Sequence, residues 1–143
     1  MGRRSQKQAK ERFIGIPYRV ANSAPFAALK GPEVKLLIDL LTQYNGRNNG
    51  SLSPTISLMG KRNWAESSLY RAFKKLEHAG FLLVTRQGWK VRGKATMVAI
   101  TWNGIDEPTG FSYDEGIKVS AVPLGYWCKA QSHWEHKPRS KNF

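Results

Sequence analysis

SSLYRAFKKLEHAGFL, residues 67–82, decides how the rest of the chain is read. Leu69, Ala72, Phe73 and Leu76 recur at i, i+3, i+4 and i+7, the spacing of one helical face. The other face carries Ser67, Tyr70, Arg71, Lys74 and Lys75, and Gly80 supplies a C-terminal stop. A helix face rich in Arg and Lys is often simply solvated, and Glu66 and Glu77 are at hand to pair with it. The alternative is a surface shaped to lie against something negative.

Charge favours that alternative. The 143 residues hold 23 Lys and Arg against 10 Asp and Glu, a formal charge of +13. Residues 1–30 carry seven cations and one acid, residues 31–102 eleven and four, and residues 103–143 five and five. The surplus therefore sits in an N-terminal arm and a central block, which points to a polyanion as partner. The length fits one domain with tails. One cysteine, Cys128, excludes an internal disulfide and suits a reducing, cytoplasmic setting. No apolar run approaches the ~18 residues of a membrane span, and MGRRSQKQAKERF lacks the apolar core of a signal peptide.

Outward from the quoted helix, punctuation divides the chain. NSAPFAAL (22–29) predicts a short helix capped by Ser23 with Pro25 in its first turn. GPEVKLLIDLLTQYNG (31–46) predicts a longer one, its stripe formed by Val34, Leu37, Leu41 and Tyr44 and widened by Ile38 and Leu40. NGRNNG (45–50) is a dense turn signal, and Leu52 follows in extended chain. Ser53-Pro54 predicts the cap and first turn of a third helix through Ile56, Leu58 and Met59. After Trp64, expected to plug the turn, comes the quoted helix. FLLVTR (81–86) and TMVAITW (96–102) then read as two strands around the basic tip QGWKVRGKA.

Two short helices joined by a few residues, the second cationic on its outer face, make a helix-turn-helix, and a following hairpin is a wing. The expected fold is α+β: a basic N-terminal arm (1–14), a winged helix-turn-helix domain (15–105) and a C-terminal extension (106–143). Leu69, Phe73 and Leu76 are expected to pack against Leu37, Leu41, Leu58 and the strands, and Trp102 to close the hairpin base.

The stretch from LLIDLLTQYNG through S-x-Y-R-A-x-K-x-L-E-x-A-G-F to A-I-T-W resembles the winged helix-turn-helix domains of bacterial phage and plasmid proteins, both replication proteins and regulators. The resemblance spans roughly residues 15–105. One departure is Ala65, where such domains usually place a Ser or Thr cap.

In a major groove, Ser67 and Ser68 would let the helix approach closely. Tyr70 and Arg71 reach further, Arg71 toward guanine, while Lys74 and Lys75 suit phosphates. Lys61 and Arg62 stand before the helix, and Lys90, Arg92 and Lys94 belong to the hairpin tip. The expected partner is double-stranded DNA and no membrane, with a homodimer and a protein partner for the C-terminal extension left open. The expected role is transcriptional regulation or replication/partition control. The alternative role is an inhibitor or adaptor docked on an acidic protein surface or nucleic-acid complex. No phosphate-binding loop, zinc-protease motif or nucleophile elbow is present, so the chain reads as no enzyme and needs no cofactor. Cys128, His133 and His136 offer no second cysteine and are not read as a metal site.

Overall fold

A computed structural model describes residues 11–88 and 94–129. Two single-turn helices come first, α1 (Tyr18–Ala21) and α2 (Ala24–Ala27). As expected, Ser23 caps α2: its hydroxyl accepts the Phe26 N–H at 3.3 Å, and proline occupies the first turn.

α3 (Gly31–Leu41) is the central helix. Its buried face is Glu33, Leu36, Leu37, Asp39, Leu40 and Leu41. Compared with the expected stripe, the buried arc is rotated by about one residue: Val34, Ile38 and Tyr44 are half-buried, and Leu36 and Asp39 join the buried side. The helix ends at Leu41, a few residues before the expected stop at NGRNNG (45–50), where Asn48 and Asn45 side chains bond local backbone.

The third helix begins later than Ser53-Pro54. Gln43 grips Ser53 like a strand partner, accepting its N–H at 2.8 Å and donating to its carbonyl at 2.9 Å. Ser53 and Pro54 are thus buried in extended chain, and Thr55 is the N-cap of α4 (Ile56–Met59). The shift also corrects the core assignment of Leu58, which is 44% exposed, whereas Met59 is buried. A 3-10 turn, Gly60–Arg62, continues α4, and Asn63 reverses the chain in the left-handed region at φ 67°, a conformation asparagine tolerates.

α5 (Glu66–His78) starts from Ala65 with no side-chain cap, and Glu66 supplies a first-turn acid to its positive end. Leu69, Ala72, Phe73 and Leu76 are buried as their spacing predicts. The helix stops in a Schellman turn: Phe81 N–H donates to Leu76 O and Gly80 N–H to Glu77 O, both at 3.0 Å, with Gly80 at φ +86°.

β1 (Leu82–Arg86) and β2 (Met97–Ile100) pair antiparallel, Leu82 opposite Ile100 and Val84 opposite Val98, with an irregularity between Val84 and Arg86. Leu52 adds one bridge to Val98. Alternation sends Leu82, Val84, Val98 and Ile100 into the main core with α3 and α5. Leu83 and Ala99 face the other way, where Ile105 joins them and Tyr113, Ile117, Leu124 and Tyr126 cover them.

The segment after the strands thus belongs to the packing. Trp127, in α6 (Tyr126–Lys129), is buried and stacks on Phe81 with ring centroids 6.3 Å apart. Trp102 is buried against Phe81 from another side, as the closing role expected of it requires. Gly80 makes the approach of α6 possible: a Cβ there would stand 2.6 Å from the Tyr126 carbonyl carbon and 2.8 Å from Trp127 N. Gly80→Ala is therefore expected to cost about 2 kcal/mol through strain at positive φ and displacement of α6. Limited proteolysis should trim the variant from its C-terminal end faster than the parent. Equal melting and equal trimming would mean that residues 126–127 move aside freely.

Candidate nucleic-acid interface

α4, the 3-10 turn and α5 follow one another directly in the chain, and one carboxylate braces the turn between the two helices. Asp39 is buried in α3 and accepts three donors: Lys35 Nζ at 2.6 Å, Arg62 Nε at 2.7 Å and Trp64 Nε1 at 2.7 Å. Lys35 Nζ also donates to Arg62 O at 2.8 Å and lies 4.8 Å from the centre of the Trp64 ring. Burial alone would raise the Asp39 carboxyl. The hydrogen bonds from Lys35, Trp64 and Arg62, with the Lys35 charge, outweigh it and hold the group below its usual carboxylate value. Trp64 plugs the turn as expected, but the carboxylate that receives its N–H carries no sequence signal of its own.

Of the residues expected at the interface, Lys61, Arg62 and Ser67 are exposed and Ser68 is half-buried at the start of α5. Arg62 spends its Nε on Asp39, so it shapes the turn while its side chain stays 45% exposed. Tyr70 and Lys74 are half-buried along one flank, the Lys74 ammonium 5.5 Å from the centre of the Tyr70 ring and 4.0 Å from Glu77. Arg71 and Lys75 are exposed on the other flank, beside the first turn of α3, where Lys75 Nζ lies 3.5 Å from Glu33 Oε1. Lys94 is exposed. Lys90 and Arg92 fall outside the described residues, as does Trp89.

Ser67, Arg71, Lys74 and His78 continue one another at i, i+4, i+7 and i+11, and together they form the outward stripe of α5. His78 is an exposed member that attention to lysine and arginine alone passes over; its position in the helical period is the signal that finds it. Arg86 works inside the fold, donating from Nε and Nη2 to Ala95 O at 3.0 and 2.7 Å and covering the Phe111 ring. That grip joins the end of β1 to the chain entering β2.

Among the described residues no three His, Cys, Asp or Glu gather as metal ligands. Cys128 is exposed, with its Sγ 2.8 Å from Gly125 O, and His133 and His136 lie outside the described residues. No helix among the described residues is long and apolar enough to cross a membrane. No protein-family model, curated protein or solved structure matches the chain.

Proposed function

We propose that the chain is a double-stranded DNA-binding protein of winged helix-turn-helix layout, with α5 as the recognition helix and the β1–β2 hairpin as the wing. It acts on cytoplasmic DNA as a regulator or as a replication or partition factor of a phage or plasmid. The observation that carries this reading is the outward stripe of α5: Ser67, Arg71, Lys74 and His78 project from a helix whose opposite face is fixed in the core and whose entry turn is locked by Asp39. A rigid cationic helix of 13 residues suits the width of a major groove. Two basic segments, the arm with Arg3, Arg4, Lys7 and Lys10 and the hairpin tip with Lys90, Arg92 and Lys94, flank it in sequence.

The test is duplex binding by the full chain across a salt series. Each phosphate contact contributes about 0.9 to the fall of log affinity with log salt. Replacing Lys90, Arg92 and Lys94 together with Gln should lower that slope by roughly two units or more while the melting temperature stays nearly constant. Weak binding by the parent that is indifferent to salt would retire the DNA reading in favour of an acidic protein partner. Tight, salt-sensitive binding that survives the triple change would remove the wing from the interface and leave the N-terminal arm.

A further inference from the structure

We propose that the cleft between the first turn of α3 and the adjoining flank of α5 seats one backbone phosphodiester of the bound duplex. The inference rests on the duplex-DNA reading and deepens it. Pro32, Glu33, Ser68, Arg71, Ala72 and Lys75 line a cleft of about 240 Å³. Its polar groups are mostly donors: a guanidinium, an ammonium and a hydroxyl. The Arg71 side chain is exposed and makes no hydrogen bond or ion pair with any other described residue. Lys75 is held at the wall by Glu33, whose side chain is only 5% exposed.

The lining sums to one net positive charge, two cations against one carboxylate. A phosphodiester carries one negative charge and balances it. A phosphate monoester carries about −1.5 to −2 at neutral pH and would overfill it. α3 runs for 11 residues; its N-cap, Lys30, makes no side-chain capping bond, and Glu33 supplies a first-turn acid to its positive end.

Placement on α5 supplies the direction. Ser68, Arg71 and Lys75 follow one another at i, i+3 and i+7 on the flank beside α3, and Tyr70 and Lys74 occupy the opposite flank. A helix lying in a major groove has base edges beneath its centre and a sugar–phosphate strand along each side. The cleft therefore meets a strand. Arg71 becomes a phosphate contact instead of the guanine reader expected from the sequence.

The experiment uses the full chain and a duplex selected by the parent protein from a random-sequence pool. Single phosphates are replaced in turn by uncharged methylphosphonates, and binding is measured for the parent and for Arg71→Ala. One position should weaken the parent about tenfold and weaken Arg71→Ala no further, the signature of a direct charge-assisted contact. Arg71→Ala should also lose the same factor on selected and random duplex, with a salt slope reduced by about 0.9. Ser68→Ala should weaken binding at the same position by a smaller factor. If every methylphosphonate affects both proteins alike, or if Arg71→Ala loses affinity for the selected duplex alone, the phosphate seat is wrong while DNA binding stands. A parent that binds no duplex at low salt overturns the seat and the DNA reading together.

Discussion

Asn49→Ala is expected to lower stability by about 3–5 kcal/mol and the melting temperature by about 10–15 °C, although the change removes only a short side chain from a turn. Asn49 is fully buried. Its Nδ2 donates to Ile100 O at 2.8 Å and to Gly104 O at 2.7 Å, and its Oδ1 accepts the Ile100 N–H at 2.7 Å. Alanine leaves those three backbone groups without this partner at the end of β2, where Ile100 is sealed from water. Each such buried group costs about 1–3 kcal/mol, with Gly104 at the low end because it is only half-buried. The bonds of the Asn49 main chain remain available to the variant: its carbonyl accepts the Asp106 N–H, and its own N–H donates to the Asp106 carboxylate. Asn45→Ala is the matched control: that side chain accepts from the exposed Arg47 N–H, so the loss should stay near 1 kcal/mol or below. Similar urea midpoints for the two variants would show that the bonds around Asn49 are not what ties the turn to the strands.

Asp39→Ala should cost about 3 kcal/mol, and, under the proposed DNA-binding function, it should weaken duplex binding beyond what lost stability explains. Breaking a buried ion pair typically costs about 3–5 kcal/mol. Here the figure falls at the lower end, because Lys35 and Arg62 are 47% and 45% exposed and can turn their charges to water. The Trp64 N–H cannot, since Trp64 is buried. The loosened turn would leave α5 less firmly aimed, so duplex affinity should fall even at temperatures where the variant is folded. pH gives an independent reading. The Asp39 carboxyl titrates below its ordinary value of 3.8 in the folded chain. The unfolded state therefore takes up a proton first as pH falls, and folding is stabilised above that ordinary value. That contribution drains away as pH drops from the ordinary value through the folded one. The parent should lose stability over this acid range more steeply than Asp39→Ala. Parallel acid limbs would mean that Asp39 adds no charge-dependent stability.

Local pattern was enough for α5, its four buried apolar positions, its glycine stop, the Ser23 cap and the existence of two strands. Those features depend on neighbours within four residues along a helix or on alternation along a strand, and both are written in the order of the residues. The candidate interface was legible to the same extent: Ser67, Tyr70, Arg71, Lys74 and Lys75 share the outer side of one helix, and helical period alone puts them there. What lay beyond the sequence involved partners far apart in the chain. Nothing in LLIDLL marks Asp39 for burial until Trp64, 25 residues on, delivers its N–H. NGRNNG reads as a turn whichever way Asn49 points, and its bonds to Ile100 reach across 51 residues. The cleft beside Arg71 exists only because α3 packs against α5 in one particular rotation, the same rotation that brought Leu36 inward and left Ile38 at the edge. FLLV, residues 81–84, is apolar on both strand faces, so both must be covered. Tertiary structure alone decided that α3 and α5 cover one face and the turn-rich segment from Ile105 to Tyr126 covers the other, because that segment has no periodicity of its own and takes its shape from the surface it buries.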